Sequence, residues 1–69
     1  MSRLKELREQ AGMTQERLAE LSGVYQETIA RIEKGRRRMG IEVAVKVAPV
    51  LKTDAADLLG LKNLAESIT

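Results

Sequence analysis

The sequence predicts a compact all-α domain of five short helices, and three observations point to it. Apolar residues recur three and four positions apart along almost the whole chain, the spacing of one buried helix face. Gly12, Gly23, Gly35 and Gly60 fall just where four of the five stretches end, as glycines that terminate helices do. The one run rich in β-branched residues, over 41–51, has no second strand-like segment to pair with.

Taken in order, Leu4, Leu7 and Ala11 form the apolar stripe of a first helix, with Ser2 as its N-cap and Gly12 as its stop. Thr14 caps a second helix. Arg17 at the third helical position gives no reciprocal capping box, but Glu16 suits the positive end of the macrodipole. Leu18, Ala19 and Leu21 are expected to face inward, and the helix should end near Ser22. Val24, Ile29 and Ile32 make the inward stripe of a third helix that closes at Lys34-Gly35. A basic loop follows over 36–40. The apolar stretch 41–51 is long enough for a buried fourth helix, bent or shortened by Pro49 in its last turn. Thr53 or Asp54 caps a short fifth helix carrying Ala55, Leu58 and Leu59, and Leu61, Leu64 and Ile68 continue the apolar spacing beyond Gly60. There is no repeat, low-complexity stretch or linker, so the reading is one domain over 1–69, with its core over about 4–60 and a short tail over 61–69.

A chain of 69 residues has room for one modest core, and dimerisation would help to stabilise it. The absence of cysteine and histidine removes disulfides, Cys-based zinc sites, the commonest metal ligand and the commonest general base. No metal, cofactor or small-molecule ligand is expected, and an enzyme is disfavoured because no constellation of catalytic groups is present. No apolar run approaches the length of a membrane span, and the first residues lack the apolar region of a signal peptide, so a cytoplasmic location is expected. Net charge is only +2, but its placement is uneven. Arg31, Lys34, Arg36, Arg37 and Arg38 stand together against the single acid Glu33, as expected where one face meets a polyanion. Met13 and Met39 read as gap fillers.

The informative segment is 15–32. Two helices crossing steeply at a short turn need a small residue at their close approach, which Ala19 supplies. They need a turn residue tolerant of positive φ, which is Gly23, and apolar residues in the elbow, here Leu18, Val24, Ile29 and Ile32. With Gly12-Met13-Thr14-Gln15 before it and Ile32-Glu33-Lys34-Gly35 after it, the segment resembles the lambda-repressor-like, Cro/C1-type (XRE) helix-turn-helix family. The likeness runs from about Leu4 to Leu59. It rests on Thr-Gln-x-x-Leu-Ala, the turn glycine and Ile-x-x-Ile-Glu-x-Gly occurring together at the family's spacing.

The resemblance implies that the third helix lies in the major groove of double-stranded DNA. Tyr25, Gln26, Glu27 and Arg31 would then meet bases. Gln26 suits adenine, Arg31 guanine and Glu27 a cytosine amino group, and Glu27 could equally act by excluding wrong bases. Phosphates would be held at the N-terminus of the second helix by its free N–H groups with Gln15 and the Thr14 hydroxyl, and further by Thr28, Lys34, Arg36, Arg37 and Arg38. Arg8 and Glu33 match positions where the family pairs its first helix with the end of its third. Two places depart from the family pattern. Tyr25 stands where Ser or Thr often caps the third helix, and Met39-Gly40 where relatives often carry Pro-Ser.

One such helix reads half a site, so a homodimer on a palindromic operator is expected. Its interface is expected on Leu58, Leu61, Leu64 and Ile68, with Val50 or Leu51. Either Leu58 or Leu59 should instead be core. The leading functional expectation is a transcriptional regulator, most readily a repressor acting by occupancy. The competing readings are an antitoxin of a toxin–antitoxin pair, a DNA-binding partner of a co-regulator, or a controller of a restriction–modification system.

Overall fold

The computed structural model describes residues 2–60. Five helices follow in order: α1 (Arg3–Gln10), α2 (Gln15–Ser22), α3 (Gln26–Glu33), α4 (Ile41–Val47) and α5 (Ala55–Leu58). No strand occurs among the described residues. Helix α3 packs on α1 and α2, while α4 packs on α2 and α5, so α2 joins the two halves of the fold.

The helix starts follow local chemistry. The Ser2 hydroxyl accepts from the Lys5 N–H at 3.3 Å, Thr14 from Arg17 at 3.0 Å, and the Asp54 carboxylate from Asp57 at 2.8 Å. Each satisfies one N–H that has no partner within its own helix. Thr53 is not the cap. Its hydroxyl donates to the Asp57 carboxylate at 2.7 Å, and that carboxylate also receives Arg3 at 3.1 Å, tying α1 to α5.

The core comprises Leu4, Leu18, Val24, Ile29, Ile32, Ala44, Val47, Ala48, Leu51 and Leu58. Met13 and Met39 pack partly buried against it. Three expectations about burial are corrected. Leu21 is exposed, because the inward face of α2 is centred between Leu18, Ala19 and Ser22, and Leu21 lies about 100° round from that centre. Helix α4 is not buried all round. Ala44, Val47 and Ala48 face the core, but Ile41 and Val45 share an outer face and are exposed. Leu58 is 7% exposed and belongs to the core, so it is unavailable to the dimer interface expected of it; Leu59 is half-buried. Leu61, Leu64 and Ile68 lie outside the described residues.

Helix α4 is also shorter than its apolar run. Pro49 has no N–H to give the carbonyl of Val45, so the ladder is cut after the Ala48 N–H bonds to Ala44 at 2.9 Å. The chain then turns, with bonds from Leu51 to Val47 and from Thr53 to Ala48, and passes through Lys52 at φ 56°.

Candidate nucleic-acid interface

The turn between α2 and α3 fixes how α3 is presented. Gly23 caps α2 at φ 76°, a left-handed conformation that a side chain would strain, and its N–H returns to the Ala19 carbonyl at 2.9 Å. The Ser22 hydroxyl takes the Val24 N–H at 3.3 Å, and Val24 is buried. Tyr25 then stands at the N-cap of α3 with no side-chain cap bond, and the residue is 83% exposed. Ile29 and Ile32 anchor the opposite side of α3 in the core.

The other side of α3 meets solvent. Gln26, Glu27 and Arg31 are exposed beside Tyr25, and Thr28 is half-buried. Arg31 Nη2 donates to Glu27 Oε1 at 2.8 Å, one turn back on the same row. These two residues border an open cleft of about 480 Å³ with Ala30, Lys34 and Arg36. A second cleft, of about 280 Å³, lies toward the start of α3 and is lined by Tyr25, Thr28, Arg37, Glu42, Val43 and Lys46 with the Gly23–Val24 turn. Lys34, Arg36, Arg37 and Arg38 are all exposed. Lys46 was not singled out by sequence reasoning. The only signal for it was its lone positive charge within the apolar fourth segment.

A network on the inner side sets the end of α3. Arg8 Nε and Nη2 donate to Glu33 Oε2 and Oε1 at 2.7 and 2.9 Å, and Arg8 Nη1 donates to the Met13 carbonyl at 2.7 Å. The two side chains are 12% and 3% exposed. Gln15 Nε2 also donates to Glu33 Oε1, at 3.1 Å. Burial opposes the Glu33 charge, but hydrogen bonds from Arg8 and Gln15, with the charges of Arg8 and Lys5, outweigh it and hold the carboxyl below its usual range. The same hydrogen bond to Glu33 raises Arg8, against some desolvation. The structure thus brings Gln15 into the Arg8–Glu33 pair, a contact the sequence did not suggest. One of the two Nε2 hydrogens is committed there and the other is available to an acceptor.

Thr14 is exposed at the head of α2, beside Gln15. Ala19 is half-buried against the core. Among the described residues no group of carboxylates could hold a metal ion, and no helix is long and apolar enough to cross a membrane.

A helix-turn-helix family model matches residues 4–62, which takes in α2 to α5 whole and all of α1 but Arg3. The chain belongs to the Cro/C1-type helix-turn-helix family. This family consists of DNA-binding proteins that are not enzymes. The Cro/C1-type chain is 42% identical over 57 residues to an uncharacterised HTH-type transcriptional regulator of Archaeoglobus fulgidus, covering 83% of this chain and 81% of the relative. It is 45% identical over 64 residues to one from Haemophilus influenzae, covering 87% and 65%. Against YgzD of Bacillus subtilis, another of that description, identity is 34% over 62 residues, covering 90% and 94%. No solved structure matches it.

Proposed function

We propose that this chain is a sequence-specific regulator of transcription that binds double-stranded DNA as a homodimer and represses by occupying a palindromic operator in the cytoplasm. The observation that carries the reading is the exposed face of α3, with Tyr25, Gln26, Glu27 and Arg31 held outward by buried Ile29 and Ile32, and a cleft holding cationic side chains on either side. A helix in the major groove lies between two phosphate backbones, so cations on both flanks suit it.

In this reading Gln26, Arg31, Glu27 and Tyr25 address bases. Thr14, Gln15, Thr28, Lys34, Arg36, Arg37 and Arg38 address phosphates, and Lys46 joins them. The buried Arg8–Glu33 pair holds α3 against α1 while Gln15 points its remaining hydrogen at the backbone. The dimer interface is left to Leu61, Leu64 and Ile68, with Val50, since Leu58 and Leu51 are in the core.

The test is selection from random duplex DNA at about 0.15 M salt, where screening is near physiological. A palindrome with half-sites about ten base pairs apart supports the dimeric regulator. Salt-sensitive binding without enrichment removes it, and leaves a chain whose specificity comes from a protein partner, whether a toxin or a co-regulator. On the selected site, Arg31→Ala should relax preference at one base pair, at a cost of about 1–3 kcal/mol. Arg37→Ala should weaken all sequences alike and lower the salt slope by about one. Identical behaviour of the two variants on specific and random DNA would sink this division of roles.

A further inference from the structure

We propose that Glu27 and Arg31 read the operator as a coupled unit, in which Glu27 holds back the Arg31 guanidinium until a guanine and a nearby cytosine are both present. The proposal rests on α3 being the recognition helix. What it adds is a job for the carboxylate and a rule for the operator.

The starting observation is the 2.8 Å bond from Arg31 Nη2 to Glu27 Oε1 between side chains that are 57% and 76% exposed. So exposed a pair is worth little in water, so it opens easily. It lines the same cleft as Lys34 and Arg36, at the surface a duplex would cover. A lone carboxylate carried there meets phosphate repulsion and loses its water. Two partners can relieve it: the Arg31 guanidinium, or a cytosine N4 amino group, which donates from the major-groove edge with no acceptor beside it on its own base; adenine's N6 amino group lies next to N7, whose lone pair repels a carboxylate. On DNA that offers no cytosine in reach, the carboxylate stays on Arg31. The guanidinium is then neutralised and adds little to the attraction for phosphates. On the operator, guanine O6 and N7 take Arg31 while cytosine takes Glu27, and both charges are satisfied. Glu27 therefore weakens binding to random DNA more than binding to the operator.

Geometry sets the spacing. Four residues of helix advance about 6 Å, which is roughly one to two base-pair steps. The operator half-site should therefore carry a guanine opposite Arg31 and a cytosine one or two base pairs away, toward the end met by the start of α3.

The experiment measures affinity for the selected operator and for a random duplex over a salt series, using the full chain, Glu27→Gln, Arg31→Ala and the double variant. Site selection is repeated for Glu27→Gln. With Arg31 released, the salt slope of Glu27→Gln on random duplex should rise by about 0.9. A fourfold fall in salt should then tighten that binding about 3.5-fold more than it tightens the parent's. Selection should lose the cytosine and keep the guanine. In the Arg31→Ala background, Glu27→Gln should no longer steepen the slope. Both side chains are exposed, and unchanged thermal melting of Glu27→Gln checks that the fold is intact. A selective parent with an unchanged Glu27→Gln slope, or with the cytosine retained, overturns the coupling alone. A parent that selects no sequence overturns the regulator reading, and the coupling with it.

Discussion

At the residue scale, Glu33 keeps its charge with a side chain only 3% exposed because Arg8 grips both its oxygens and Gln15 adds a third hydrogen bond. Its carboxyl titrates below the usual range, so the folded state holds its proton less tightly than the unfolded chain does. The stability this provides is complete above the unfolded value of about 4.3 and is lost as pH falls through the lower, folded value. Thermal melting between pH 6 and pH 3 should show that decline, and Glu33→Gln, which cannot titrate, should show a shallower one. Arg8→Ala should cost about 3–5 kcal/mol at neutral pH, since it strands a buried carboxylate. The pairing of Arg8 with Glu33 was legible only through the family pattern, being 25 residues apart in sequence. The Gln15 contact was not legible at all. A glutamine amide can serve many partners, and its choice here depends on α2 starting beside the end of α3.

At the element scale, the helix boundaries were legible because hydroxyl and carboxylate caps and positive-φ glycines mark them in the chain itself. Gly12, Gly23, Gly35 and Gly60 have φ between 69° and 76°. Faces were less legible. Helix α4 reads as one apolar run, but Glu42 and Lys46, one turn apart, mark its outer side; Ala44, Val47 and Ala48 lie opposite that pair and are buried, while Ile41 and Val45 flank it and are exposed, a signal that the expectation of a wholly buried helix passed over. The fifth helix carried too few residues to say in advance whether Leu58 or Leu59 went inside. The start of α3 is the one place where a helix in the motif lacks the cap its position asks for. Tyr25→Ser should therefore stabilise the fold, by about 0.5–2 kcal/mol, the usual worth of an N-cap hydroxyl. It should also weaken DNA binding by removing the exposed phenol. Chemical denaturation and duplex titration on the same variant separate the two effects. A variant that is more stable and binds unchanged would show that the ring takes no part in recognition.

At the scale of the whole molecule, ten of the described residues make the buried apolar core, and Leu4, Leu18, Ile29 and Val47 are the largest fully buried side chains among them. Ile29 lies on the buried side of α3, behind the exposed face proposed to meet DNA. Ile29→Ala should cost about 2–5 kcal/mol, against a total of about 5–15 kcal/mol for natural domains. For so small a chain that approaches the whole margin. Circular dichroism should show much of the variant unfolded at room temperature, and a homodimeric variant should recover on concentration. The chain contains one tyrosine, no tryptophan and no phenylalanine, so its near-ultraviolet light comes almost wholly from Tyr25. That ring is already bathed in water when the protein is folded. Unfolding should scarcely change its emission, whereas entry of α3 into a groove should. The molecule carries its own optical label on the face proposed to meet DNA, and is nearly dark everywhere else.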